Sequence, residues 1–211
     1  LNRPGDAQTA ILSTTADALH LTALQGRLTD LASPWAPPEP EKRWDLLVQV
    51  HESAINNAAN QVFAGALVKQ DSFLASVEKL LGKVPERFRD DDPSQNWSVA
   101  LAERDPFSVS FQDGVIRLTL RGEEYTTRDN QYPAMNVSVA YRPESTPQGV
   151  AYKKKNTVEI FPPDFQPEKG QKLSPREQAL RSMLERRFNR MFEPRFQPDP
   201  LVFSGNWKKA G

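Results

Sequence analysis

The run His51-Glu52-Ser53, followed by Asn56 and Asn57, holds the densest set of groups in this chain able to do chemistry. Before it, RWDLLVQV (43–50) predicts a strand. After it, 53–67 predicts a helix with Ile55, Ala59, Val62, Phe63, Ala66 and Leu67 on its apolar face. His51, Glu52, Asn56 and Asn57 therefore crowd a helix start, where free N–H groups and the helix dipole suit an anion or a small polar ligand. The same residue types also serve as caps, with Glu52 well placed against the dipole. As acid–base machinery the cluster is thin. No G-x-S-x-G occurs, and His20 is the only other histidine, so a Ser-His-Asp triad has little to draw on.

Other groups read in two ways as well. Lys153-Lys154-Lys155 makes an uninterrupted basic surface, suited to an anionic polymer or lipid, or simply solvated. The arginines near it in composition, from Arg181 to Arg195, are interleaved with Glu177, Glu185 and Glu193 at helix pairing distances. Asp90-Asp91-Asp92 offers oxygen ligands, but Pro93 follows at once and the alternation of a calcium loop is missing. Glu103, Asp105, Glu123, Glu124 and Asp129 fall near predicted strand ends. A hydrolase would need two of them facing across a cleft. Phe161, Phe165, Phe188, Phe192, Phe196 and Phe203 cluster late. Phe188 and Phe192 in particular suit either core packing or the wall of an apolar ligand site.

Composition narrows the classes. The chain has 211 residues, 27 Lys+Arg against 27 Asp+Glu, 18 Pro and no Cys. Thiol catalysis and cysteine-ligated zinc or iron–sulfur centres are excluded. The balanced charge argues against a general nucleic-acid binder, whose affinity comes largely from neutralising phosphates. The longest apolar run is about four residues, far short of a transmembrane span. We expect no cofactor and no metal site. The chain starts at Leu1 without a signal-peptide pattern, as a processed chain or a piece of a longer one does.

The elements that would position these groups follow from periodicity. Leu12, Leu19, Ala23, Leu24, Leu28 and Leu31 predict a helix over 6–32, so 1–33 reads as an N-terminal helical segment. SPWAPPEPEK (33–42) is a stiff connector, leaving 43–211 as an α+β domain. A helix over 71–81 turns Phe73, Leu74, Val77, Leu80 and Leu81 inward and stops at Gly82. Residues 85–96 read as a loop. From 97 to 161 the period becomes two, and Asp113-Gly114 marks a hairpin. A second hairpin is expected to turn near Lys155-Asn156. Ser174-Pro175-Arg176-Glu177 combines a capping box with a proline start for a helix to about 193. The tail from Pro200 predicts a last strand. The fold class is therefore α+β: a curved antiparallel meander of five to seven strands on two or three helices, with the helical appendage.

DLLVQVHESAINNAAN, YPAMNVSVAYRP, VEIFPPDF and LSPREQALRSMLERRF together resemble an uncharacterised conserved domain of large exported or envelope-associated proteins of planctomycete-type bacteria. The resemblance spans roughly 43–209 and implies an envelope setting, with no activity attached. Glu52, Ser53, Ile55, Asn56 and Asn57 also resemble the first helix of tubular, BPI-like envelope proteins, which implies a lipid tunnel inside a curved sheet. The expectation is a binding or interaction module rather than an enzyme. Its partner would be an apolar ligand or a protein; a solid-core scaffold domain and an acid-residue hydrolase are the alternatives.

Overall fold

The computed structural model describes residues 7–14, 19–26, 50–89, 96–128, 130–147 and 149–198. Two strands, β1 (Ala7–Thr14) and β2 (Leu19–Gly26), form an antiparallel pair with Thr14 opposite Leu19. This corrects the helix expected over 6–32. The leucine spacing fits a helix, but Leu19, Leu21 and Ala23 also alternate, and Thr9, Ile11, Thr14 and Thr22 are β-branched and stiff at χ1. The 33–42 connector, the 43–49 part of the expected strand and the tail strand lie outside the described residues.

The rest is a mixed α+β body. Helix α1 (Glu52–Phe63) leads through a tight turn to β3 (Leu67–Lys69), which passes into α2 (Gln70–Leu81). Gly82 ends α2 at φ 72°, the left-handed cap the sequence predicts. A 3-10 turn, Glu86–Phe88, lies inside the expected loop. The remaining strands are β4 (Trp97–Leu101), β5 (Phe107–Gln112), β6 (Val115–Thr127), β7 (Asn130–Tyr132), β8 (Met135–Thr146), β9 (Gly149–Lys154), β10 (Glu159–Phe161) and β11 (Arg195–Phe196). Helix α3 (Pro175–Met191) precedes β11.

Nine of these strands make one antiparallel sheet, more pieces than the five to seven expected because three of its ribbons are interrupted. β4 and β5 pair with successive stretches of one side of β6, and β7 and β8 with the other side. β9 and β10 both pair with β8, β11 lies beyond β9, and β3 beyond β4. Asp113 and Gly114, at φ 54° and 66°, make the predicted two-residue turn between β5 and β6. The hairpin expected at Lys155-Asn156 is corrected. Tyr141 pairs with Lys154 and Ser138 with Glu159, so β8 advances three residues while its neighbour advances five. Residues 155–158 are a bulge within one ribbon.

The breaks at 102–106, 122–124 and 133–134 fall at one level across three neighbouring ribbons. β6 carries an irregularity where Leu101 faces Gly122, and such bulges bend a strand. Gly122 is needed there: a Cβ would sit 2.5 Å from the ring of Tyr125. That ring lies over the glycine, and its hydroxyl donates to the Met135 carbonyl at 3.0 Å. Burial pushes the Tyr125 phenol well above its ordinary range.

The core lies between one face of the sheet and α3. Val99, Leu101, Tyr125, Met135, Val137, Val139, Tyr141, Val158 and Ile160 meet Leu180 and Leu184 of the helix. Two helix faces differ from the periodicity. Leu80 of α2 is 82% exposed and Val62 of α1 is 67% exposed, with Phe63, Leu67 and Leu81 also exposed.

Candidate functional site

The first candidate cluster is spread along a seam between α1 and the free edge of β5. His51 is the N-cap of α1, its Nδ1 accepting from the Ser53 N–H at 3.1 Å. Glu52, Asn56 and Asn60 recur every fourth residue and face the strand. Glu52 Oε2 accepts from Phe111 N–H at 2.6 Å. Asn56 takes both groups of Val109, accepting from its N–H at 2.7 Å and donating to its carbonyl at 3.0 Å. Asn60 Oδ1 accepts from Asp105 N–H at 3.1 Å. Asn57 is half-buried and engaged as well. These amides and this carboxylate replace a neighbouring strand. Asn60 was not singled out by the sequence reading, although the fourfold spacing from Glu52 carries it.

The three lysines of the basic run are placed differently. Lys153 lies 3.9 Å from Glu144, and Lys155 is exposed at the bulge. Lys154 turns to the C-terminal end of α3, donating to the Phe192 carbonyl at 3.0 Å and approaching Asn189 Oδ1 at 3.5 Å. Burial holds its ammonium below the ordinary lysine pKa. Asn189 Oδ1 also accepts from Val158 N–H at 3.3 Å, which ties the bulge to the helix. Nearby, Tyr141 donates to the Glu193 carbonyl at 3.1 Å, and Arg87 pairs with the Glu193 carboxylate at 2.5 Å. The Tyr141 phenol is pushed up to about 12, by burial first and by Glu193 second, with Arg87 opposing. Phe188 and Phe192 stack at 5.9 Å and pack against the core.

An open groove of about 460 Å³ runs beside α3, where the 162–173 connector approaches it. Phe165, Leu173, Gln171, Lys172, Gln178, Arg181, Ser182 and Glu185 line it. Two of its lining side chains, Phe165 and Arg181, belong to a stack of planar groups. Phe165 lies on Phe161 at 5.2 Å, and the Arg181 guanidinium lies 4.6 Å from the Phe161 ring centre. Glu185, one turn on, fixes Arg181 through a 2.8 Å bond to Nε. Phe165 was visible as part of the late aromatic cluster. Its link to Arg181 was not, because it needs β10 and α3 side by side.

Four of the carboxylates considered for hydrolysis fall at the level of the breaks in the sheet. Glu103 and Asp105 lie in the 102–106 break, and Glu123 and Glu124 are exposed on β6. Asp90, Asp91, Asp92 and Asp129 lie outside the described residues. Among the described residues no group of three or more His, Asp or Glu could hold a metal ion, and no helix is long and apolar enough to cross a membrane. No family model, curated protein or solved structure matches this chain.

Proposed function

We propose that this domain is a non-catalytic interaction module with a solid core, part of a larger envelope-associated protein, and that it recognises a protein partner along the α3 groove. The observation that carries this reading is the preorganised stack Phe165–Phe161–Arg181, whose two outer members line the groove. A rigid aromatic next to a fixed guanidinium loses little freedom on binding, and such residues dominate interface energetics. Glu52, Asn56 and Asn60 of α1 already bond the β5 edge, and Phe188 and Phe192 already pack on the core. The groove is lined instead by polar side chains, among them Lys172, Gln178 and Ser182.

Two measurements test the reading. Organic extraction of the purified protein followed by mass spectrometry should yield no stoichiometric acyl species; recovering one would replace the solid core with a lipid-holding interior. A phage-displayed peptide library selected on the protein should give binders that lose at least tenfold affinity to Phe165→Ala or Arg181→Ala, about 1.4 kcal/mol. Binders indifferent to both substitutions would move the recognition surface elsewhere.

A further inference from the structure

We propose that the outer edge of β5 is a pairing site for a second copy of this chain, and that α1 is the guard that keeps it closed. Val109 offers both its N–H and its carbonyl to the outside, where Asn56 takes both. In an antiparallel pair, a residue of that kind exchanges both bonds with the residue directly opposite. β5 reads Phe107-Ser108-Val109-Ser110-Phe111, the same in both directions about Val109. Two copies laid antiparallel about Val109 therefore match themselves: Val109 meets its own counterpart, Phe107 meets Phe111 and Ser108 meets Ser110. Self-complementarity of this sort is what a two-fold interface requires. The two Phe–Phe contacts would cover Phe111, which is now 45% exposed.

The guard is lightly held. Ala59 is the only buried residue of α1, and the side chains of Glu52, Asn56 and Asn60 bond the helix to the edge. An unguarded strand edge invites pairing, and polar side chains placed on it prevent that. Lifting α1 exchanges those side-chain bonds for a full backbone ladder, and joins two sheets through β5.

The absence of cysteine gives a clean reporter. In the proposed pairing Ser108 and Ser110 form non-hydrogen-bonded pairs, with Cα atoms about 4.5 Å apart, inside disulfide range. Within one copy their parallel Cβ directions disfavour a bridge. The full chain carrying Ser108→Cys and Ser110→Cys is oxidised mildly and followed on non-reducing gels. A disulfide-linked dimer should form slowly, and about tenfold faster when Asn56→Ala is added, the rise in open population expected from losing its bonds. In the cysteine-free chain, Asn56→Ala with Asn60→Ala should shift sedimentation from monomer towards dimer. No linked dimer in either background overturns the proposal, as do equal rates with and without Asn56. A dimer in sedimentation that the cysteine pair fails to link places the contact elsewhere and overturns it too. Should the Asn56 variant unfold, the double-cysteine chain with α1 intact decides alone.

Discussion

Helices α1 and α3 serve the same sheet by opposite physics. α3 lies on the sheet face and is held by apolar burial through Leu180 and Leu184. α1 lies against a strand edge and is held by polar side chains, with Val62 and Phe63 left in solvent. The difference teaches that an apolar stripe on a helix need not mark its buried side. Facing a strand edge, a helix must supply hydrogen bonds, because unpaired backbone groups there cost more than an exposed valine.

The contrast can be broken by substitution. Leu180→Ala, at a position 0% exposed, should cost about 3 kcal/mol as a cavity and lower the melting temperature by roughly 6–12 °C. A shift below about 3 °C would mean that α3 is not the core helix. Asn56→Ala should cost less, about 1–2 kcal/mol, since the Val109 groups it abandons are partly buried. Hydrogen exchange should speed up at Val109 first; uniform acceleration across the sheet would show that α1 supports the whole body. Ser174→Ala removes the cap of α3 and should cost about 1 kcal/mol.

That cap also sharpens the contrast through pH. The bonds that Glu177 makes with Ser174 hold its carboxyl below the ordinary range. A carboxyl depressed in the fold contributes stability that is present above its unfolded value, near pH 4.3, and fades as pH falls through the lower folded value. Ser174→Ala should therefore flatten the acid limb of stability measured from pH 5 down to 2, and an unchanged limb would assign that limb to other carboxylates. The smallest effect is expected at Val62→Lys, within about 0.5 kcal/mol of the parent. A large loss there would show that the exposed side of α1 is covered after all.

Much of the fold could be read ahead. Alternation between Trp97 and Tyr141, the Asp113-Gly114 turn, the Gly82 stop and the Ser174–Glu177 cap each rest on local chemistry, and each has its element. What depends on neighbours was hidden. The residues 7–26 satisfy both periods, and strand pairing decides. The bulge at 155–158 looks like a turn until β8 is seen to pair on both sides of it. In the candidate site, Glu52 and Asn56 were visible but their role was not, because β5 lies more than fifty residues away in the chain. The groove was less visible still: Phe161 and Arg181 are twenty positions apart and meet only because β10 and α3 adjoin.

The order of ribbons in the sheet has a consequence for how the chain reaches this state. From β4 to β10 each ribbon pairs with the next one in the chain through a short link. Pairing can therefore start at the two-residue turn between β5 and β6 and spread outwards by short loop closures, each adding little entropy. β6 and β8, paired on both sides, should protect their amides earliest in a refolding pulse. β3 and β11, each pairing along one side, should protect theirs last.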